Sequence, residues 1–312
     1  MMNDKPSSNY KSRFRRVNAL HTVAAFIVVI LLLGIPVFLA TGTRSRASGE
    51  RKELLEAWNS GDYDTAYAIS QTALSAKPLD YFSLTVHGFS AYQLGISQVN
   101  NFDTLRYIDD CIWSLRKALL LKDSKTDGRV FYVLGKAYSN KGDDYADLAV
   151  KYLEEARSLS FTAADIPEYL GLAYAATGDY RSSVEAFSQA LGPSNAEPSD
   201  LLLLSIARSY AELDEFETAR AYLLRCLELS RDSKTIVTAR LFLAQVYEEL
   251  GNGQEAENQY LLVLDVAGNN ADARYRLGEL YSKRGDIARA RAEWRQALRS
   301  DPAHQEARAR LN

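Results

Sequence analysis

Chemistry needs reactive side chains at workable spacing, and this chain of 312 residues holds few of them. Its imidazoles are His21, His87 and His304, and its thiols are Cys111 and Cys226. None stand at the short helical or loop spacings that hold zinc, and two cysteines cannot form a four-thiolate site. Ser114 and Lys117 form an SxxK pair without the companion motifs of serine acyltransferases. Gly135-Lys136 lacks the earlier glycine and the following Ser/Thr of a phosphate loop. Gly251-Asn252-Gly253-Gln254-Glu255-Ala256 fits a GxGxxA dinucleotide pattern, but a helical segment precedes it where that motif needs a strand. The expectation is a protein that is not an enzyme and has no metal, no cofactor and no small-molecule substrate.

The informative spacing is longer. Gly135, Gly171, Ala207, Ala244 and Gly278 recur at intervals of 36, 36, 37 and 34 residues. Leu134, Leu170, Ile206, Leu243 and Leu277 precede them, and Tyr138, Tyr174, Tyr210, Tyr247 and Tyr281 follow three residues on. Two further columns read Ala149, Ser183, Ala219, Ala256, Ala290 and Ala156, Ala190, Cys226, Val263, Ala297. A fixed period of this length marks a repeat array. Helical periodicity lies on both sides of turns such as Arg284-Gly285-Asp286, where glycine suits a left-handed helix end and aspartate the next N-cap. The turn recurs at Gly61-Asp62, Gly142-Asp143, Gly178-Asp179 and Gly251-Asn252. Each unit therefore reads as an antiparallel helix pair, in which small residues let the helices approach and tyrosines and leucines fill the space between layers.

These columns resemble the tetratricopeptide repeat family over about residues 47–302. The last unit (Leu277, Gly278, Tyr281, Ala290, Trp294, Ala297, Pro302) and the fourth (Leu170, Gly171, Tyr174, Phe187, Ala190) match best. The first keeps Gly61, Ala66, Ala73 and Pro78, with Leu54 and Ala57 off pattern. The second keeps Gly88, Ala91, Cys111, Leu115 and Ala118 and carries an insertion around 96–106, read as an extended helix, a loop or a partner contact. The expected fold is all-α: an α-solenoid of about seven helix-turn-helix repeats over 53–312, closed by a capping helix at 303–311. Cys111 and Cys226 lie two to three repeats apart, too far for a disulfide, and are expected to pack as small apolar residues. His87 occupies a position the family gives to a packed leucine.

A second feature precedes the repeats. No charged residue stands between Arg16 and Arg44, and residues 23–40 read VAAFIVVILLLGIPVFLA. Eighteen residues span about 27 Å as a helix, close to the ~30 Å hydrocarbon core. The expectation is a basic tail over 1–18, one transmembrane helix over 19–42 and a juxtamembrane linker over 43–52. The run is longer than a signal-peptide core, which favours a retained anchor. The Arg13-Phe14-Arg15-Arg16 cluster and the short tail favour an N-terminus inside and a solenoid outside the cytoplasm, the alternative being a cytoplasmic solenoid.

The net charge of −3 hides segregation. Residues 1–52 carry +7, 53–270 carry −14 and 271–312 carry +4. An acidic body repels phosphate, so nucleic acid is not an expected partner. The resemblance implies a groove lined by the first helix of each pair and a function in binding other proteins. Projected onto it, the inward positions are Phe82, Phe89, Tyr92, Tyr132, Lys136, Asn140, Arg208, Gln245, Tyr275 and Lys283, with Glu168, Glu212, Leu241 and Glu249 among them. Lys136 and Asn140, one turn apart, could hydrogen-bond a peptide backbone or carboxylate. Glu168 interrupts the Lys/Asn/Arg clamp of chaperone-tail binders, so that activity is not carried over. The aromatics either anchor an apolar peptide or pack between layers. The expected function is a membrane-anchored interaction scaffold that binds a peptide or partner helix in an envelope assembly; the alternative is a structural subunit of an envelope, secretion or motility apparatus assembling through solenoid edges.

Overall fold

The computed structural model describes residues 46–121, 127–192 and 197–312. Among these residues there are fifteen α-helices and no strand. They fall into two compact units, one ending at Ala190 and one running from Leu191 to Asn312.

The first unit holds four antiparallel pairs. These are α1 (Arg46–Ser60) with α2 (Tyr63–Ala76), α3 (Tyr81–Ser97) with α4 (Asn101–Ala118), α5 (Gly128–Lys141) with α6 (Ala146–Ser158), and α7 (Ile166–Thr177) with α8 (Tyr180–Ala190). The second unit holds three pairs: α9 (Asp200–Ala211) with α10 (Phe216–Leu229), α11 (Ser233–Glu249) with α12 (Gly253–Val266), and α13 (Ala271–Lys283) with α14 (Ile287–Ser300). A last helix, α15 (Gln305–Leu311), packs on α14 and covers the end of the stack with buried Ala307. The seven pairs and the cap match the repeat count read from the sequence.

Local chemistry sets the boundaries. Asp62, Asp80, Asn100, Asp127, Ser199, Asp232, Asn270 and Asp286 each stand at an N-cap, where the side chain accepts from a backbone N–H of the first turn. Gly61, Gly178, Gly251 and Gly285 end helices in the left-handed region, φ 74 to 83°. The residue after each donates to a carbonyl five positions back, as Asp179 does to Tyr174 and Asp286 to Tyr281 at 2.9 Å. The turn between α9 and α10 has the same bond, Glu215 N to Tyr210 O at 2.9 Å, but Asp214 takes the left-handed position at φ 60°. That turn lacks a glycine and was invisible to the Gly-Asp pattern.

The small-residue columns have the role expected of them. Gly135, Ala207, Ala244 and Gly278 are buried, and a Cβ on Gly135 would stand 2.5 Å from Leu153 Cγ across the pair. Ala149, Ala156, Ala219, Cys226, Ala256, Val263, Ala290 and Ala297 are fully buried. The tyrosine column reaches back to the preceding layer: Tyr174 Oη donates to Glu154 at 2.9 Å and Tyr281 Oη to Glu257 at 2.8 Å.

One boundary differs from the sequence reading, and the insertion takes the extended-helix form among the readings given for it. Helix α1 starts at Arg46, inside the expected linker and ahead of the expected solenoid start at 53. The insertion is neither a loop nor a separate element; α3 runs on to Ser97 and α4 starts at Asn101, so both helices are lengthened. The apolar run at 23–40, and with it the expected tail and transmembrane helix, lies outside the described residues. No described helix is long and apolar enough to cross a membrane.

Candidate functional site

The first helices of the pairs (α1, α3, α5, α7 and, in the second unit, α9, α11, α13) carry all ten projected groove residues. The two units treat them differently.

In the first unit they close on one another. Phe82 packs with Leu54, Ala57, Ala66 and Val86, and Arg51 lies over its ring at 4.8 Å. Phe89 packs in the neighbouring cluster and meets the Trp58 ring at 6.1 Å between centroids. Tyr92 and Tyr132 are equally buried. These four are core residues that fill the space between layers; they do not line an open groove.

Lys136 is the most unexpected of the set, because it is only 1% exposed. Its ammonium donates to Asp165 Oδ2 at 2.7 Å and to Tyr132 Oη at 3.1 Å. The rings of Tyr169, Tyr132 and Tyr92 surround it at 4.7, 5.0 and 5.6 Å from their centroids. Tyr132 Oη in turn donates to the Asp165 carboxylate at 2.7 Å. Burial works against the charge, but the oxygens of Tyr169, Tyr92, Asp165 and Tyr132 outweigh it and hold the ammonium well above the usual lysine range. Asn140, half-buried one turn on, donates to Tyr92 Oη at 3.3 Å and to the Lys136 carbonyl at 2.8 Å. The expectation that Lys136 and Asn140 face a peptide is therefore corrected: in this structure their donors are taken by the protein. A buried cation that is paired, hydrogen-bonded and ringed by aromatic faces ties α3, α5 and α7 together.

Glu168 lies at the edge of the same cluster. Burial, with the Asp165 charge added and Lys136 opposing, pushes its carboxyl up to about 7. His87, read as a packed residue, is one: its Nδ1 meets Ser70 Oγ at 3.0 Å, its ring stacks on Tyr67 at 4.3 Å, and burial holds it below the usual histidine range.

In the second unit the same register stays nearer the surface. Arg208 on α9 and Gln245 on α11 occupy the position that Lys136 holds on α5, and both are half-buried. Tyr275 on α13 is half-buried, with its ring 5.0 Å from that of His304. Lys283 is exposed and pairs with Glu248 at 2.8 Å; Glu248 also accepts from Tyr260 Oη at 2.7 Å. Leu241 packs against the core, while Glu212 and Glu249 are nearer the surface.

Sequence reasoning missed Asp165 and Tyr169. Asp165 precedes Ile166-Pro167 at a helix start, a sound N-cap signal, but its bond to a lysine 29 residues earlier leaves no trace in the periodic columns. It also missed Glu257, a buried carboxylate held by Tyr281 and Arg284.

Comparison with known proteins agrees with the architecture. Residues 204–273 and 271–304 match two models of the tetratricopeptide repeat. The C-terminal part of a TPR repeat-containing protein from Cytophaga hutchinsonii is similar at TM-score 0.59 and 16% identity, covering 84% of this chain and 99% of that one. PilW, described as a widely conserved type IV pilus biogenesis factor, is similar at TM-score 0.57 and 18% identity, covering 72% and 98%. YrrB, described as a TPR protein with an unusual peptide-binding site, is similar at TM-score 0.50 and 22% identity, covering 62% and 96%. No curated protein matches the chain. The chain carries tetratricopeptide repeats in an all-α repeat fold; at these identities the likeness extends to the fold alone.

Proposed function

We propose that this protein is a membrane-anchored interaction scaffold, whose second unit holds a peptide or partner helix on the faces of α9, α11 and α13 within an envelope assembly. The observation that carries this reading is the contrast at one register. Lys136 is sealed into the first unit, whereas Arg208 and Gln245 stay half-buried at the matching positions of the second. With Tyr275 and with Lys283, whose ammonium is shared with Glu248, they place a guanidinium, an amide, an aromatic ring and an ammonium near the surface, groups of the kind that hold a peptide. The charge-free run at 23–40 supplies the anchor, and the arginines before it favour an N-terminus inside and repeats outside the cytoplasm. The fold serves related ends in YrrB, with its peptide-binding site, and in PilW, a pilus biogenesis factor.

A pull-down from solubilised membranes tests the reading. Arg208→Glu combined with Tyr275→Ala should release the co-purifying partner while helicity is retained, with a modest fall in melting temperature because Tyr275 packs against the core of its unit. A partner retained at wild-type yield places binding elsewhere. Protease added to cells stripped of any outer barrier should degrade the repeats, and protection there would reverse the orientation.

A further inference from the structure

Helix α4 is apolar on two faces. One face, with Ile108, Cys111, Ile112 and Leu115, is buried against the unit. The other carries Phe102, Leu105 and Trp113, which are 79%, 40% and 57% exposed, and Leu120 in the turn that follows, at 81%. At ~100° per residue the three helical members fall within about 80° of the helix surface and run for about 17 Å along it, with Leu120 just beyond the helix end. Val99, just before the helix, is 95% exposed. Exposed apolar residues scattered singly are ordinary; here four lie on one side of one helix and its following turn, interleaved with the charged Asp109 and Arg116 and with Trp113 among them.

The flanks of the stripe narrow down the occupant. Arg106 and Lys117 border it on one side together with Asp103, which pairs with Arg106 at 3.8 Å, and Asp110, which accepts from Tyr67; Lys117 Nζ lies over the Trp113 ring at 4.2 Å. Arg116 lies within it and is exposed. The one acidic residue within it, Asp109, is neutralised by Lys141 at 2.6 Å. Protruding aromatic and aliphatic side chains bordered by charged groups of both signs, on a helix whose stripe is a ridge and not a pocket, suit the headgroup and acyl boundary of a bilayer. A protein hot spot would more often provide a concave pocket. Chain length agrees: six peptide links separate Ala40, the end of the apolar run, from the start of α1 at Arg46, a reach of at most about 20 Å. An anchor there holds the start of α1, and with it the first unit, within reach of the membrane.

We propose that the outer stripe of α4 (Phe102, Leu105, Trp113 and Leu120) inserts into the interface of a phospholipid bilayer and fixes the first unit against the membrane surface. The proposal rests on the anchored reading above, and its test separates the two. Cys111 and Cys226 are buried with thiols raised by burial, so single introduced cysteines can be spin-labelled in the full chain. Labels at Phe102→Cys and Leu120→Cys, at Asp64→Cys on the exposed face of α2 as a water reference, and at Val28→Cys as an anchor reference are read by collision with oxygen and with a water-soluble nickel complex. In phospholipid vesicles of phosphatidylcholine and phosphatidylglycerol, positions 102 and 120 should show an oxygen-to-nickel ratio several-fold above position 64. Ratios at 102 and 120 equal to that at 64 overturn the proposal. So does a label immobilised without oxygen contact, which would report a protein in the stripe. A lipid signal at 28 beside a water signal at 102 keeps the anchor and removes the interface; a water signal at 28 beside a lipid signal at 102 does the reverse.

Discussion

Lys136 Nζ lies 2.7 Å from Asp165 Oδ2, and this contact closes the inner face of the first unit across α5 and the start of α7. It separates two faces that look alike in sequence. Where the inward cation finds a carboxylate in the next layer, it becomes part of the core. Where it does not become so enclosed, as at Arg208, it stays near the surface.

Removing one member of a buried pair leaves the other charge uncompensated, which costs about 3–5 kcal/mol in a fully buried pair. Asp165 retains 20% side-chain exposure, which reduces the penalty. Lys136→Met should therefore destabilise the first unit by about 2–4 kcal/mol in urea unfolding. Adding Asp165→Asn should recover part of that loss, giving a positive coupling in the double-mutant cycle. Additive losses would mean that the pair does not act as one.

Glu168 makes stability depend on pH in a direction opposite to that of most carboxylates. Its folded value is raised to about 7, so the fold favours the protonated acid. The contribution is fully present below the ordinary glutamate range and is lost as pH rises through about 7. Melting temperature should fall between pH 5 and pH 8. About 2–3 kcal/mol is at stake over that window, since each tenfold change in the proton equilibrium is worth ~1.4 kcal/mol. Glu168→Gln should flatten that part of the profile and stabilise the protein at pH 8; an unchanged slope would assign the dependence to another group.

Two glycines should respond to alanine with opposite signs. A Cβ on Gly135 meets Leu153 at 2.5 Å, whereas one on Gly49 in α1 meets nothing within 4 Å. Overpacking costs about 1–3 kcal/mol, against a helix-propensity gain of about 1 kcal/mol. Thermal unfolding should show Gly135→Ala destabilised and Gly49→Ala stabilised.

Asp214 holds a left-handed turn that glycine holds in four other pairs. Asp214→Gly should raise stability by about 0.5 kcal/mol, the relief of strain being partly offset by the greater freedom of glycine in the unfolded chain. Asp214→Ala, which lacks a carboxylate to bond locally, should lower it, and denaturant midpoints of the two variants read the difference.

The fold was largely legible because its determinants are local or periodic. The columns at Gly135, Leu134 and Tyr138 mark packing that every layer repeats, and Gly285-Asp286 marks a turn whose geometry depends on those two residues. The binding face was less legible. Whether Tyr92, Tyr132 and Lys136 are groove or core depends on Asp165 and Tyr169, which reach them from a different layer and belong to no repeat column. The exposed stripe on α4 was hidden for a similar reason: Phe102 and Leu105 lie in an insertion that breaks the period, and only the structure shows that it lengthens a helix.

Partner binding through the faces of α9, α11 and α13 of the second unit is the central claim. Site-specific photocrosslinking in native membranes tests it most directly, with a photoreactive residue placed in turn at Gln245 and Tyr275 and, as the control, at Leu224 and Leu262 on the second helices. One discrete adduct is expected from Gln245 and Tyr275, lost in Arg208→Glu, and none from the control positions. Adducts from Leu224 or Leu262 with none from Gln245 and Tyr275 would contradict it.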